Sequence, residues 1–590
     1  MRVPQCVAAA LVMATALAGC GVPDSGLPVS DGTAPGILVP DASPEPLPRP
    51  EDAENSKDAV ELYFEAASSE WAILDQQVRP FLSKEARPPQ GDAIHVVADL
   101  QVSPPLNDQP DLHPISVTGR VIGELTENGV LLPASRRFSY IFKIERNRAK
   151  DNQRSDSLTW LVTNPPPYYV LSDQALRERY QFLSLYFGNR RSTASLIPDL
   201  RYIPEAVTWQ KQWSLLVDWL LQGPSPWLEP VAVVGFASGT KRRGNVYLDG
   251  RRVVVNLNSD AEKTPRMYLA LAQLVWTLDQ RMEPGLRLQL QIDDRPVPDG
   301  LRTTHSRRDF GGFNAVPAQT TDASAYHITD EGQVASLVAG ELPAVLTGQY
   351  QRYNTSVISA ALSQNGDLAA LVRDPPKDLG GQKLWVGRLS TRYQEVTDLP
   401  AGPIGRPVWV ADIGGPLGSL LVTATGRLYQ VDVGKLDVLP VRLTSQVREV
   451  TAVSVAPDGH RAALISGGML YVAGLVQREG VTAIESPRLV TDRFRGAADV
   501  AWRGEHTLVV TARDPSRGGL WEVGIDGLRV ARLLPERGIP DQIAAYPTLQ
   551  GSGRVLLARD GAVYEFFSSE QAYPDGREAP PRGSSPFFAF

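Results

Sequence analysis

The sequence predicts a multidomain fold: an α+β N-terminal domain, an α/β domain and an all-β propeller of five or six blades. Three observations carry this prediction. A short apolar leader ends at Cys20, helix and strand patterns alternate in the central part, and paired strands recur about every 46 residues in the C-terminal half. The predicted segments are a signal peptide (1–19), a lipidated cysteine with a proline-rich tether (20–54), the α+β domain (55–190), the α/β domain (195–298), the propeller (318–567) and a C-terminal tail (568–590).

The N-terminal residues have the form of a secretory signal that ends in a bacterial lipobox. Arg2 precedes an apolar stretch from Val7 to Leu17, and small residues precede a thiol that can take up diacylglycerol. We therefore predict that Cys20 becomes the first residue of the mature chain and carries S-diacylglycerol and N-palmitoyl groups. The lipobox residues are Leu17, Ala18, Gly19 and Cys20.

The alternative interpretation of the leader is an ordinary secretory signal with an incidental cysteine. Cys6 lies in the segment to be removed, so Cys20 is the only thiol predicted for the mature chain and no internal disulfide can form. Each buried methylene of an acyl chain contributes about 0.8 kcal/mol, so several chains on one residue form a stable anchor. No later segment has about 18 consecutive apolar residues, and we expect the chain to stay on the outer face of the membrane.

The segment after the anchor is rich in proline. Between residues 21 and 50 it contains eight prolines and too few apolar residues to form a core. It spans about 90 Å if it is fully polyproline-like and about 30 Å if it is a flexible coil. The sequence therefore predicts a spacer, or a plain disordered leader, and no folded domain before about residue 52.

The composition of the remaining chain fits a soluble globular protein of several domains. Of 590 residues, 43% are apolar and 21% are charged, and the net charge is -7. This acidic balance argues against nucleic acid as a partner. The basic run Lys241-Arg242-Arg243 precedes a predicted hairpin, and we interpret it as a solvated loop rather than a binding patch.

The α+β domain begins with one helix. Apolar residues recur on one face across residues 57–69, and Ser56 is the predicted N-cap. Short β-branched or aromatic runs then predict a mostly antiparallel sheet. The run Pro-Pro-Pro-Tyr-Tyr at 165–169 predicts a rigid turn at the end of the sheet, with a binding loop as the alternative. The predicted strands cover residues 95–100, 115–121, 138–144 and 158–162.

Two helices and a hairpin define the α/β domain. An apolar stripe at steps of four, three and four predicts a helix that ends at Gly223. Asp249-Gly250 between two β runs predicts a tight hairpin. A second helix is predicted from Thr264-Pro265, with Thr264 as N-cap, and a strand follows over 286–292. We interpret the tryptophans of the stripe as core residues rather than a sugar platform. The stripe consists of Trp209, Trp213, Leu216 and Leu220.

The C-terminal half repeats one pattern of strand, turn and strand. Asn365-Gly366 and Asp458-Gly459 are turns of this kind, and their glycines supply the positive φ that tight turns need. The period predicts a β-propeller, and residues 326–337 supply a sixth blade or help to close the ring with the C-terminal strand. An Asp-Gly turn could also hold a cation, but a bare hairpin is the favoured interpretation. The units cover residues 358–389, 404–433, 450–475, 497–523 and 542–566.

Several phrases resemble a known family. The phrase Leu-Leu-Gln-Gly-Pro-Ser at 220–225, followed by the hairpin and the helix at 269–278, looks like the GerMN domain of sporulation and cell-envelope proteins. Leu-Tyr-Phe at 185–187 and Ile-Pro-Asp-Leu-Arg-Tyr-Ile-Pro at 197–204 extend the likeness. Together with the lipobox, the whole order resembles the actinobacterial lipoprotein LpqB family. That resemblance implies a partner, the extracellular domain of an MtrB-like sensor histidine kinase in a two-component system for cell-wall homeostasis and division.

The sequence offers little chemistry for catalysis. No metal-ligand spacing, nucleophile elbow, phosphate-binding loop or dinucleotide fingerprint occurs in it, so we predict no enzyme, no metal and no cofactor. Asp293-Asp294 is predicted to lie on a strand, where adjacent side chains point to opposite faces. The histidines are scattered, at His95, His113, His305, His327, His460 and His506.

Three functional hypotheses follow from these observations. The first is a non-enzymatic, membrane-anchored accessory protein that regulates the sensor kinase by contact. The second is a cell-wall glycan or small-ligand binder that uses the mouth of the propeller, and it predicts that aromatic and polar side chains converge there. An envelope hydrolase is the least favoured hypothesis because no acid/base pair can be named.

Overall fold

The computed structural model of the chain describes residues 46–589. The predicted signal peptide, the lipobox residues Leu17, Ala18, Gly19 and Cys20, and most of the tether lie outside the described residues. The gaps within the described range are 108–110, 149–157, 192–194, 298–302, 315–323, 338–341, 375–380, 390–391, 416, 479, 515–516, 535–537, 550, 552, 568–569 and 573–578.

The N-terminal domain packs helices against one face of a five-stranded sheet. The strands run in the order β4, β3, β2, β1, β5, and all neighbours are antiparallel except β1 and β5. This is the predicted mostly antiparallel sheet. Strands β1, β2 and β3 are longer than predicted, β4 has the predicted bounds, and β5 is an additional strand. The elements are α1 (Ser56–Ala66), α2 (Leu74–Val78), β1 (Ala93–Val102), β2 (Leu112–Thr126), β3 (Leu131–Arg148), β4 (Leu158–Val162), β5 (Tyr169–Ser172) and α3 (Asp173–Arg179).

The first helix docks through aromatic side chains. Phe64 of α1 meets Phe142 of β3 edge to face, with ring centroids 5.5 Å apart, and both are buried. Ser56 was predicted to be the N-cap, but it is the first helical residue. The N-cap is Asn55, whose side chain accepts the backbone N–H groups of Lys57 and Asp58. The Ser56 hydroxyl instead bonds His113 at 2.8 Å.

The second domain carries two helices and two sheets. One sheet has the order β12, β11, β10, β9, and the other has the order β7, β6, β8. The predicted hairpin is present as β9 and β10, and β11 joins β10 in parallel. The elements are β6 (Tyr180–Asn189), β7 (Leu196–Pro204), α4 (Trp209–Gln222), β8 (Ala232–Val233), β9 (Tyr247–Asp249), β10 (Arg252–Leu257), α5 (Met267–Asp279), β11 (Arg287–Ile292) and β12 (Arg295–Pro296).

The helix ends of this domain agree only in part with the predictions. Gly223 follows α4 with φ of 115°, as its role as a helix terminator requires. Thr264 was predicted to be the N-cap of α5, but this helix begins at Met267. The hydroxyl of Thr264 instead accepts the N–H of Ala237 at 3.2 Å. Strand β6 pairs with β7 along its whole length, so the predicted domain boundary at 190–195 lies between two partners of one sheet.

The C-terminal half forms a propeller. Among the described residues it contains five four-stranded antiparallel sheets and one three-stranded sheet of order β14, β13, β35. Sheets one to five comprise β15–β18, β19–β22, β23–β26, β27–β30 and β31–β34 in chain order. The strands of the closing sheet and of sheets one and two are β13 (Ala325–Ile328), β14 (Val334–Ser336), β35 (Ser584–Phe588), β15 (Val357–Leu362), β16 (Leu368–Arg373), β17 (Lys383–Arg388), β18 (Gln394–Glu395), β19 (Val408–Gly415), β20 (Gly418–Ala424), β21 (Arg427–Asp432) and β22 (Val438–Pro440).

The remaining sheets follow the same antiparallel meander. Their strands are β23 (Val450–Val455), β24 (Arg461–Ser466), β25 (Met469–Arg478), β26 (Val481–Leu489), β27 (Asp499–Trp502), β28 (Thr507–Asp514), β29 (Arg517–Gly524), β30 (Val530–Arg532), β31 (Gln542–Ala545), β32 (Val555–Arg559), β33 (Ala562–Phe567) and β34 (Glu570–Ala572).

The ring is closed by strands from its two ends. β35, the last strand of the chain, pairs antiparallel with β13, the first strand of the propeller, and lies between the inner strands β31 and β15. Within the predicted segment 326–337, β13 pairs with the C-terminal strand, which is the closure that the sequence suggested, and this pairing places part of the predicted tail inside the fold. Because the inner strand of the closing sheet comes from the C-terminus, the propeller depends on residues at both of its ends.

Candidate functional site

The most elaborate polar cluster in the described structure lies in the seam between the second domain and the propeller. In a four-stranded antiparallel sheet, the turn after the first strand and the turn after the third lie at the same end. Strands β6 and β7 of the second domain sit on that end of sheets three and four. There the Ser184 hydroxyl lies 2.7 Å from His506 Nε2 and 3.1 Å from a carboxylate oxygen of Glu505, which also accepts the Tyr186 hydroxyl at 3.0 Å. We call these four residues the seam cluster.

The hydrogen atoms of the seam cluster can be assigned from its geometry. An ionised carboxylate only accepts, so Tyr186 and Ser184 both donate to Glu505. The single hydroxyl hydrogen of Ser184 is then used, and His506 must donate its Nε2 hydrogen to the Ser184 oxygen. Nδ1 of His506 has no partner among the described residues.

Burial governs the charge of the cluster. His506 and Glu505 are 5% and 7% exposed. Burial lowers the pKa of His506 well below its ordinary range, and the cations of Arg461 and Arg529 lower it further. Burial also raises the pKa of Glu505, and this effect outweighs the hydrogen bonds and cations that favour its ionised form.

A serine, a histidine and a carboxylate together invite comparison with a nucleophilic triad. In a triad the carboxylate binds the imidazole nitrogen opposite the serine and orients the base. Here Glu505 binds the serine itself, and the opposite nitrogen Nδ1 has no partner among the described residues. Ser184 is also buried between two domains. The arrangement therefore joins the domains and does not activate a nucleophile.

Arg461 adds a buried ion pair to the seam. It is fully buried, and its Nε donates to Asp458 at 2.6 Å. Its Nη1 reaches the carbonyl oxygens of Pro198 in the second domain, at 3.3 Å, and of Glu505, at 2.8 Å. Both oxygens of Asp458 are occupied by backbone and guanidinium N–H groups, so the Asp458-Gly459 turn is a hairpin that holds an arginine.

Further contacts join all three domains. Tyr202 of β7 donates to Asp526 of sheet four at 2.5 Å, and both are buried. Arg120 of the N-terminal domain pairs with Asp492 of the propeller at 2.8 Å. Arg201 of the second domain donates to the carbonyl oxygen of Asn128 in the N-terminal domain at 2.9 Å. One apolar core also runs from the N-terminal domain through the second domain into sheets three and four, so the domains form one continuous body.

The inner strands of the propeller enclose a central chamber of about 310 Å³. Aromatic side chains, among them Trp409 and Trp502, line it together with polar ones such as Gln364 and Arg406. The ligand-binding hypothesis predicted that aromatic and polar groups converge at the mouth of the propeller, and residues of both kinds occur in the lining of this chamber.

Other residues singled out in the sequence have structural partners. Arg242 bonds Asp218 at 2.6 Å, and Arg243 pairs with Asp293, so the two arginines of this basic run are paired with carboxylates. Asp293 and Asp294 were predicted to lie on a strand, but they form the turn between β11 and β12, and both have a positive φ. Trp213 is 1% exposed and belongs to the core, as predicted.

The histidines and other metal-binding side chains do not gather in the described part of the chain. No group of three or more His, Cys, Asp or Glu residues there could hold a metal ion. The same part of the chain contains no helix that is long and apolar enough to cross a membrane.

Sequence reasoning missed the seam cluster. One signal was available, because sheets one and three have Asn-Gly and Asp-Gly in the turn after their first strand. The equivalent turn of sheet four instead contains Gly504-Glu505-His506. Two titratable residues at a position where only turn geometry is required indicate a contact with another part of the molecule.

Two family models match the chain. The family described as the Lipoprotein LpqB beta-propeller domain matches residues 332–578, and the family described as Sporulation and spore germination matches residues 184–298. The second match starts inside β6, in agreement with the pairing of β6 and β7.

Curated relatives extend over nearly the whole length. Lipoprotein LpqB of Rhodococcus opacus (strain B4) is 26% identical over 96% of this chain and 94% of its own. Lipoprotein LpqB of Mycobacterium tuberculosis (strain CDC 1551 / Oshkosh) is 25% identical over 97% of this chain and 96% of its own. Among solved structures, TolB from Acinetobacter baumannii has 14% identity and a TM-score of 0.32, with 50% of this chain and 75% of that chain covered, which is too distant to support an argument. The chain belongs to the lipoprotein LpqB family, and it combines a GerMN domain with the LpqB β-propeller domain.

Proposed function

We propose that this lipoprotein acts on the extracytoplasmic face of the membrane, where it regulates an MtrB-like two-component sensor histidine kinase by protein contact and thereby affects cell-envelope homeostasis and division. Membership of a lipoprotein family supports the membrane anchor, with Cys20 as the lipidated residue. The observation that carries the proposal is the buried seam, since it turns three domains into one body that can present a composite surface.

The same observation supports a role without catalysis. The acid and base of the seam cluster, Glu505 and His506, are buried and bonded to Ser184 and Tyr186, so they have no access to a substrate. The names of the relatives state a lipoprotein and no reaction.

The tether raises the occupancy of a weak contact between this protein and a membrane kinase. A body confined near the membrane meets a membrane kinase at high effective concentration, so even a modest affinity leads to occupancy. Regulation requires in addition that the body bind the signalling states of the kinase with unequal affinity. A body whose domains are joined by buried contacts is suited to this task, because rearranging the domains to fit each state of the kinase would cost free energy.

Co-purification from membranes tests the proposal. The native chain and a Cys20→Ala variant are expressed at equal levels, and captured proteins are identified by mass spectrometry. We expect the native chain to recover a sensor kinase and the unlipidated variant to recover much less of it. Cys6→Ala is the matched control, because this cysteine lies in the predicted leader and its loss should change nothing.

Two outcomes would overturn the proposal. If Cys20→Ala recovers as much kinase as the native chain, the anchor has no part in the contact. If neither chain recovers a membrane protein and both retain cell-wall fragments, the glycan-binding hypothesis replaces the kinase hypothesis.

A further inference from the structure

The sheet of the N-terminal domain ends in an exposed apolar tip. Among the described residues of this domain, three large apolar side chains are exposed, and all three lie at the same end of the sheet. They are Leu106, Leu112 and Ile141, which are 58%, 37% and 53% exposed. We call these three residues the apolar tip. Apolar groups that gather in one exposed place mark a contact with a protein or a membrane, whereas scattered ones need no explanation.

The register of the strands places the three residues side by side. Ile141 of β3 pairs with Ser116 of β2, four residues from Leu112. Pro114 lies between these two positions of β2, and its carbonyl oxygen accepts the backbone N–H of Leu106 at 2.9 Å. Residues two apart on a strand are about 7 Å from each other. The apolar tip is therefore one continuous surface.

The tip lies on the face of the sheet that the helices leave open. Ile115 and Phe142 form a cross-strand pair, and both are fully buried, with Phe142 in contact with Phe64 of α1. Because successive side chains of a strand point to opposite faces, Leu112 and Ile141 lie on the face opposite α1. The helices of the domain therefore do not cover these two side chains.

The propeller contacts the other end of the same strands. Arg120 of β2 and Ser135 of β3 both bond Asp492 of the propeller. Leu112 precedes Arg120 by eight residues. At about 3.3 Å per residue, this separation amounts to about 26 Å along the strand. The apolar tip therefore projects away from the contact that joins the N-terminal domain to the propeller.

The chain enters the folded body at this same end. Strand β4 pairs with the last residues of β3, Ile144–Arg148, and the short helical turn Pro50–Asp52 packs against β4. A few residues later, the hydroxyl of Ser56 bonds His113, the neighbour of Leu112, at 2.8 Å. The N-terminal start of the described chain therefore lies beside the apolar tip.

The predicted tether limits how far the tip can be from the membrane. It connects Cys20, the predicted site of lipidation, to Pro46, where the described chain begins, and it comprises 25 residues, 21–45. A flexible coil of this length spans roughly 30 Å. Because the tether joins the body beside the tip, the tip meets the bilayer at high effective concentration.

The exposed charges at this end of β2 and β3 are balanced. Lys143 and Arg146 are exposed, and so are Asp111 and Glu145. A surface with equal numbers of both signs gains little from the anionic headgroups of a membrane. Burial of apolar surface is therefore the interaction that this end of the sheet offers to a bilayer.

We propose that the apolar tip inserts into the leaflet that holds the lipid anchor, at the boundary between headgroups and acyl chains. This docking rests on the anchor at Cys20 that belongs to the proposed function, but not on the kinase. It fixes the orientation of the body, with the N-terminal sheet on the bilayer and the propeller held away from it. In that orientation, the propeller stays open to a partner outside the membrane.

Fluorescence quenching of the full lipidated chain in vesicles tests the docking. The vesicles consist of phosphatidylcholine with nitroxide-labelled acyl chains, and a thiol-reactive dye is attached to an Asn107→Cys variant, beside Leu106. We expect strong quenching of this dye and little quenching in a Lys435→Cys variant, at an exposed position of the propeller. The native chain should not react with the dye, because Cys6 is removed and Cys20 is acylated. Reaction at Cys20 would reveal a missing anchor, which separates failure of the anchor from failure of the docking.

Substitutions in the tip measure its contribution. In the Asn107→Cys variant, Leu112→Ser and Ile141→Ser together should lower the ratio of docked to undocked tips about tenfold, because each removes a side chain that the bilayer would bury. Both side chains are exposed, so their loss leaves the core intact. Leu439→Ser is the matched control, because Leu439 is 40% exposed on the propeller and should not affect quenching.

Four results would overturn the proposal. The first is equal quenching in the Asn107→Cys and Lys435→Cys variants of the anchored chain. The second is unchanged quenching after the two serine substitutions. The third is quenching that appears only when the vesicles also contain phosphatidylglycerol, since binding would then depend on charge. The fourth is a dimer in detergent solution that the serine substitutions dissociate, since a second copy would then cover the tip.

Discussion

Lowering the pH below 6.5, the ordinary pKa of histidine, is expected to destabilise the seam through the imidazole of His506. In the folded chain its Nε2 donates to Ser184, and its Nδ1 has no acceptor among the described residues. A second proton would create a buried N–H group without a partner, close to the cations of Arg461 and Arg529. The folded state therefore resists protonation, whereas the unfolded chain does not.

The sign and the size of the effect follow from this difference. Because the folded-state pKa of His506 is lowered, its contribution to stability is present above pH 6.5 and is lost as the pH falls. The loss cannot exceed about 1.36 kcal/mol per pH unit, so it amounts to at most about 2 kcal/mol at pH 5. Glu505 acts in the opposite direction, because its raised pKa makes its contribution present below pH 4.5 and lost as the pH rises through the folded-state value.

Urea unfolding at pH 7 and pH 5 measures the effect when the native chain is compared with His506→Gln. Glutamine keeps an N–H donor for Ser184 but cannot take up a proton in this range. We expect the native chain to lose up to about 2 kcal/mol more than the variant between the two pH values, while Glu505 contributes to both. Equal losses in the two proteins would refute the assignment of the Nε2 hydrogen and of the acid sensitivity to His506.

Two further substitutions test the seam and the closure of the ring. Tyr202→Phe removes the donor of a buried bond to the Asp526 carboxylate and should lower the free energy of unfolding by about 2–3 kcal/mol in urea titrations. Tyr247→Phe, at a side chain that is 47% exposed, should stay within about 0.5 kcal/mol, and equal effects would contradict the role of the seam. Gly583→Ala has a φ of 143° and would bring a methyl group to 2.1 Å from a carbonyl oxygen of β13, so we expect a loss of about 3 kcal/mol by the same assay. Gly311→Ala is the control, because the added methyl group meets no atom within 4 Å. A comparable loss of stability in this variant would contradict the role of Gly583 in closing the ring.

The elements that the sequence predicted are those fixed by local patterns. The stripe of α4 and the repeated turns of the propeller need only neighbours in the chain, and they are present in the structure. The errors concern the ends of helices, where a side chain chooses between a local and a distant partner. Ser56 bonds His113 and Thr264 bonds Ala237, and neither partner could be inferred from residues nearby in the sequence.

The seam could not be predicted for the same reason on a larger scale. Ser184 and Glu505 are 321 residues apart in the chain, and their contact exists only after two domains have docked. Seen alone, Tyr186 fits an apolar strand and Glu505 fits a solvated turn. Their pairing depends on the relative orientation of the domains, and no local sequence pattern predicts that orientation.

The seam and the chamber share one structural element, which decides how each can be studied. Asp458 lines the chamber, and the Arg461 that it holds reaches the carbonyl oxygens of Pro198 and Glu505 across the seam. Removal of the Asp458 carboxylate would leave a buried guanidinium without its counter-ion and would disturb both features at once. Trp409 lies on sheet two, away from this contact, so a change there leaves the ion pair between Asp458 and Arg461 in place.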